Sequence, residues 1–201
     1  MTAAATRVPF VGLTGGIGAG KSEALAALEK LGAATLSTDA DVHGLLATDE
    51  VRDLLVERLG ADVAPGGQVD RSAVATVVFE RPEERKWLEE TLWPRVGARM
   101  AEWREELDRR EPAPRAAVVE VPLLFESGLE RGFDHTIAVV ADEEMRAERA
   151  GARGHAGLEG RTSRQLSQDE KALRADSVVR NDGTLDELQQ ELSRVLATIG
   201  T

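Results

Sequence analysis

Apolar residues in this chain follow two rhythms. Short, mostly apolar runs at 8–13, 33–37, 116–121, 134–140 and 177–180 read as strands. Between them the spacing becomes helical. Ala24, Leu25, Leu28 and Leu31 share one face of a helix over 22–31. Val51, Leu54, Leu55 and Leu59 do the same over 49–59. A shorter pattern covers 71–79. Pro82 opens a long one, with Leu88, Leu92, Val96 and Met100 recurring every four residues before Trp103 and Leu107. Trp93-Pro94 interrupts that stripe, so a kink or break is expected there. Helices also follow over 143–152, over 165–175 and from Thr184 onward, where Leu185, Leu188, Leu192, Val195, Leu196 and Ile199 form a stripe. The loop at 61–68 holds Pro65-Gly66-Gly67, and 111–114 is a linker. Strands alternating with helices predict an α/β fold. The segment 42–112 is helical throughout and reads as an insert between the second and third strands.

One stretch turns this pattern into chemistry. Gly15-Gly16-Ile17-Gly18-Ala19-Gly20-Lys21-Ser22 fits G-x-x-x-x-G-K-[ST] and lies between the first strand and the first helix. Glycines let backbone N–H groups approach phosphate oxygens, and the helix start adds partial positive charge. Lys21 is placed to reach the β- and γ-phosphates of a nucleotide, and the Ser22 hydroxyl to hold Mg²⁺. Gly16, Gly18, Ala19, Gly20, Lys21, Ser22 and Glu23 are therefore the expected ATP-binding residues.

Composition narrows the classes. With 201 residues, 42% of them hydrophobic, the chain can bury a core. It has no cysteine, so thiolate chemistry is excluded. No apolar run is long enough to span a membrane, and 1–7 is too short and polar for a signal peptide. A cytoplasmic location is expected, with no membrane partner. The net charge of -11 argues against nucleic acid as a partner. A polyphosphate-binding protein this acidic must concentrate its positive charge. Arg146, Arg149, Arg153, Arg161 and Arg164, with glycines between them, are that concentration. Such a segment can close over phosphates and stabilise charge on a transferring group.

The second strand ends in Thr38-Asp39-Ala40-Asp41. Carboxylates past a strand's C-terminal end lie where α/β sheets bind ligands. One of them can accept a hydroxyl proton during phosphoryl transfer or hold Mg²⁺ through water; Asp41 can alternatively cap the next helix. Glu120, an acid inside the apolar third run, is costly to bury unpaired and is expected to position Mg²⁺ or substrate. His43, His135 and His155 show no metal-ligand spacing.

Taken together, these landmarks resemble the dephospho-CoA kinase family. The resemblance runs through Gly12-Leu13-Thr14 and the phosphate loop, then Asp39-Ala40-Asp41, then Val121-Pro122-Leu123-Leu124-Phe125-Glu126. It continues in Gln165, Glu170-Lys171, Arg174-Ala175-Asp176 and Asn181-Asp182-Gly183. It implies a P-loop kinase fold: a five-stranded parallel sheet flanked by helices, with a helical substrate domain and a helical lid. The corresponding segments are 8–41, 115–150 and 176–201 for the nucleotide-binding core, 42–112 for acceptor binding, and 150–175 for the lid. The implied reaction moves the γ-phosphoryl group of ATP to the ribose 3′-hydroxyl of dephospho-CoA, with Mg²⁺, in a monomer. Asp41 resembles the base, Lys21 and Arg149 the stabilisers of the transferring group, and Asn181 a residue beside the adenine. Asp39, Asp41, Glu120 and Trp93 fall on the acceptor side. Two positions depart from the family's pattern: Trp93-Pro94 stands where His-Pro is common, and Leu45 where an arginine is common. A kinase for another small acceptor, such as a nucleoside monophosphate, and a nucleotide-binding regulatory protein are the alternatives.

Overall fold

The computed structural model describes residues 7–152 and 165–199. Five strands form one parallel sheet: β1 (Phe10–Gly15), β2 (Ala34–Ser37), β3 (Ala117–Glu120), β4 (His135–Val140) and β5 (Ser177–Arg180), in the order β2-β3-β1-β4-β5. The sequence runs locate all five, but β1 lies two residues later than expected. Pairing explains the shift: β1 stays in register with β4 as far as Gly15↔Val139, so the strand enters the glycine-rich motif. β1 and β3 are buried throughout, whereas the edge strands β2 and β5 are partly exposed. Central strands covered on both faces read as unbroken apolar runs.

Helices α1 (Lys21–Lys30) and α8 (Leu185–Ile199) cover one face of the sheet. Ala24, Ala27 and Leu28 of α1 and Leu188, Leu192 and Leu196 of α8 join Val11, Leu13, Ile137, Val139 and Val179 in one buried cluster. On the other face Phe133 stacks on Phe10 with ring centroids 4.6 Å apart, and the Arg104 guanidinium lies 4.3 Å from the Phe10 centroid. Arg104 also pairs with Asp134 at 2.8 Å.

The chain divides into two compact units. One comprises Met1–Ser37 with Arg104–Thr201, and the other Thr38–Trp103. The second unit holds α2 (Thr38–Leu46), α3 (Asp49–Leu59), α4 (Arg71–Glu80) and most of α5 (Pro82–Asp108). Its core is a separate cluster of Leu45, Leu46, Val51, Leu55, Val63, Val74, Leu92 and Val96. Sequence signals start the helices: the Thr48 hydroxyl accepts from Val51 N–H, and the Asp70 carboxylate accepts from Ser72 and Ala73 N–H. The break expected at Trp93-Pro94 is absent, since α5 runs through Pro94. Leu92 and Val96 on either side are buried while Pro94 is exposed, so the carbonyl that Pro94 cannot satisfy can meet water. The loop expected at 61–68 contains one 3₁₀ turn, Ala61–Val63, followed by a turn at Pro65–Gly67 with positive φ at Gly66 and Gly67. Among the described residues, no helix is long and apolar enough to cross a membrane.

The remaining elements belong to the sheet unit. Helix α6 spans Glu143–Ala152 and α7 spans Gln168–Arg174. Ser167 and Glu170 form a reciprocal capping box that starts α7 three residues later than the periodicity suggests. Arg153, Arg161 and Arg164, expected in the arginine-rich segment, lie outside the described residues, as does His155.

Candidate active site

The phosphate loop joins β1 to α1. Gly18 and Gly20 have φ of 76° and 92°, which favours glycine. Space demands glycine as well. A Cβ on Gly18 would collide with the backbone of Arg146, and one on Gly20 with the side chain of Asn181. A Cβ on Gly15 would lie 2.5 Å from the Val139 carbonyl oxygen. The loop is thus pressed against the ends of β4, α6 and β5. Lys21 Nζ donates to the carbonyls of Gly15 and Gly16, each at 3.2 Å, which holds its charge over the loop. Ala19 is buried, while Ser22 is exposed in the first turn of α1. A hydroxyl oxygen there suits a hard cation such as Mg²⁺. Glu23 lies on the same turn, partly buried.

Two arginines of α6 brace this loop, and the sequence did not foretell how. Arg146 Nε donates to the Ile17 carbonyl at 3.0 Å, and its Nη1 pairs with Glu143 at 2.6 Å. Arg149 Nη1 donates to the Asn181 carbonyl at 3.1 Å. Asn181 is 3% exposed, and its Nδ2 donates to the Ala19 carbonyl at 3.0 Å. Arg149 therefore reaches the loop through Asn181. Charge clustering singles out these arginines in the sequence, but only the fold shows that backbone carbonyls take part of their donor capacity.

Beneath the loop lies a buried lysine. Lys171 of α7 is fully buried and contacts the Pro122 carbonyl at 2.5 Å, Glu126 Oε1 at 3.0 Å and Thr14 Oγ1 at 3.3 Å. Burial pulls its pKa down, and Glu126 opposes that fall. Glu126 Oε1 also accepts from Leu166 N–H at 2.8 Å. The pair ties α7 to the last residues of β1 and to the turn after β3. In the sequence, Glu126 and Lys171 stand out only through the resemblance to the kinase family. A lysine in a polar-looking helix carries no sign of burial.

Glu120 is 8% exposed, and its Oε2 accepts from Ser37 Oγ at 3.0 Å. Ser37 and Glu120 are register partners at the carboxyl ends of β2 and β3. The acid is inside the sheet's end and not on a wet rim.

In the helical unit, α2 begins at the residue after β2 ends, without a loop. Asp39 and Asp41 thus sit in its first turn, where the helix dipole favours carboxylates. Asp39 is exposed and Asp41 partly buried. Asp41 Oδ2 is buried and lacks a hydrogen-bond partner among the described residues. Burial raises the pKa of Asp41, while the positive charge of Arg99 acts to lower it. A carboxylate kept more basic than usual, with an acceptor oxygen that no described group occupies, suits proton abstraction. Leu45 is core, 6% exposed, and Trp93 is half-buried and packs against the same apolar cluster. Both positions that depart from the family pattern are therefore occupied by packing residues.

The family model for dephospho-CoA kinase matches residues 9–187. A dephospho-CoA kinase from Protochlamydia amoebophila is 40% identical over 187 residues, covering 90% of this chain and 92% of its own length. One from Deinococcus radiodurans is also 40% identical, over 191 residues, covering 92% of this chain and 90% of its own. A solved protein from Thermus thermophilus superposes with a TM-score of 0.78 at 35% identity, covering 96% of this chain and 98% of its own. Dephospho-CoA kinase from Campylobacter jejuni gives 0.62 at 25% identity, covering 98% of each. With a phosphate loop built on a five-stranded parallel sheet, and with relatives matched over nearly the whole length, this chain belongs to the dephospho-CoA kinase family.

Proposed function

We propose that this protein transfers the γ-phosphoryl group of ATP to the ribose 3′-hydroxyl of dephospho-CoA, giving coenzyme A and ADP. The observation that carries the reading is Asp41: a partly buried carboxylate with raised pKa, one of whose oxygens is buried without a hydrogen-bond partner among the described residues. It takes the 3′-hydroxyl proton as the new O–P bond forms and the bond to the β-phosphate oxygen breaks. Gly16, Gly18, Ala19 and Gly20 present backbone N–H groups to the phosphates. Lys21 leaves the loop carbonyls for the β- and γ-phosphoryl oxygens. Ser22 would hold Mg²⁺, whose chemistry there would be to offset the charge of the phosphates. Arg149, already held at the loop by Asn181, adds a guanidinium to the same end. Glu23 supports the loop from α1, and Asn181 edges the base side. Segments 8–41, 115–150 and 176–201 are the nucleotide-binding core, 42–112 the acceptor region and 150–175 the lid. Asp39, Glu120 and Trp93 serve the acceptor side.

ADP release measured against a panel of acceptors tests this. Dephospho-CoA should support turnover far above nucleoside monophosphates and small alcohols. Equal or greater turnover with another acceptor would overturn the assignment.

A further inference from the structure

The helical unit is economical with its arginines. Arg52, Arg58 and Arg95 are spent on ion pairs with Asp49, Glu84 and Glu50. Arg71 bonds the ring of His43. Arg85 and Arg99, both half-buried on α5, have no ion pair among the described residues, and Arg99 is the one beside Asp41. Among the described residues its guanidinium makes one hydrogen bond, a long one of 3.5 Å from Nη1 to the Asp41 carbonyl. Most of its five N–H donors are left over. Arg99 is half-buried, so part of its hydration is already lost. Its charge acts on the Asp41 carboxyl, yet among the described residues no carboxylate lies within ion-pair distance of it, which in a chain with net charge -11 needs an explanation.

The local geometry aims it at one place. Gly44 lies three residues after Asp41, hence on the same side of α2. A Cβ on Gly44 would lie 3.4 Å from Arg99 Nη1, so the guanidinium rests against the bare helix beside Asp41. His43, two residues on, faces another way, and Arg71 with it. Among the described residues, one side of α2 therefore holds a buried carboxyl oxygen without a partner beside a guanidinium with spare donors. A carboxylate that accepts a hydroxyl proton and a guanidinium fork that donates to phosphate oxygens match an acceptor carrying both groups.

We propose that Arg99 binds a phosphate of the acceptor's diphosphate and so places the ribose hydroxyl at Asp41. This makes Arg99 the residue that prefers a diphosphate-bearing acceptor over a bare nucleoside. The inference rests on the acceptor reading above, and the test keeps the two apart. Binding of dephospho-CoA and of adenosine is measured by calorimetry, with the nucleotide site saturated by a non-hydrolysable ATP analogue. Arg99→Ala should weaken dephospho-CoA about tenfold or more, the scale of a lost charge-assisted bond. Adenosine affinity and the KM for ATP should stay within about twofold, and Arg99→Lys should recover part of the loss because charge remains while the fork is gone. Arg95→Ala, one turn away on α5 and already paired, should change neither ligand. Equal weakening of both ligands would make Arg99 a tie between α2 and α5 and overturn the proposal, as would no weakening of either. If wild-type protein binds dephospho-CoA but forms no coenzyme A, the assigned reaction fails while the binding ratio still supports Arg99.

Discussion

Asn181 Nδ2 donates to the Ala19 carbonyl at 3.0 Å, so the start of the loop after β5 is fastened to the middle of the phosphate loop. Both residues are buried. Asn181→Ala would leave the Ala19 carbonyl without its partner, at a cost of about 1–3 kcal/mol. The expected outcome is a lower melting temperature together with a raised KM for ATP, and little change in KM for the acceptor. Unchanged ATP kinetics would show that the bond does not shape the loop.

Two glycine substitutions should have opposite consequences. Gly18→Ala meets a positive φ and the Arg146 backbone, which cannot swing aside as a side chain would. ATP affinity should fall steeply, read by titration with nucleotide. Gly97→Ala lies mid-helix in α5 with open space around it. It should stabilise by about 0.5–1 kcal/mol in denaturant unfolding, with unaltered turnover.

Lys171→Met should be severe despite its apolar fit. It strands Glu126, whose side chain is 12% exposed, without its cation. Breaking a buried pair on one side costs about 3–5 kcal/mol. The double change Lys171→Met with Glu126→Gln removes both charges and keeps an acceptor for Leu166 N–H. It should regain most of that loss in urea unfolding. A double variant as unstable as the single one would contradict the pairing account.

Asp41 couples activity, stability and pH. Its folded pKa lies above the ordinary 3.8, so in the window between the two values the folded state binds more protons than the unfolded one. Stability therefore falls as pH rises through that window, and ionised Asp41 weighs against folding at neutral pH. Asp41→Asn should lower kcat by about 10² to 10⁴ without lowering the melting temperature at neutral pH. The base must be ionised, so kcat/KM should rise with pH through the raised pKa. Arg99→Gln removes the charge that opposes burial and should move that acid limb to higher pH. A limb that stays in place would show that Arg99 does not act on Asp41.

Much of the fold was legible because its signals are local. Apolar runs located the strands, and helical spacing of apolar residues located α3, α4 and α5. The phosphate loop was readable because glycine, lysine and serine at fixed spacing have few other uses between a strand and a helix. What the sequence hid depends on contacts across the chain. Pro94 is tolerated because Leu92 and Val96 are anchored in the core, which no neighbouring residue announces. Lys171 meets partners 157 and 49 residues away. Arg146 and Arg149 looked like phosphate ligands alone, yet each also holds a backbone carbonyl. Arg99 carried no motif, and its meaning comes from facing Asp41 across two helices of one unit.

The account stands or falls on the product. Wild-type protein and Asp41→Asn are each incubated with ATP, Mg²⁺ and dephospho-CoA, and the acceptor is followed by mass spectrometry with fragmentation to locate any added phosphoryl group. Wild-type protein should convert dephospho-CoA to coenzyme A phosphorylated at the ribose 3′ position, with ADP formed one for one, and Asp41→Asn should form it at least about a hundredfold more slowly. Dephospho-CoA recovered unchanged while ADP accumulates, or equal conversion by Asp41→Asn, would contradict it.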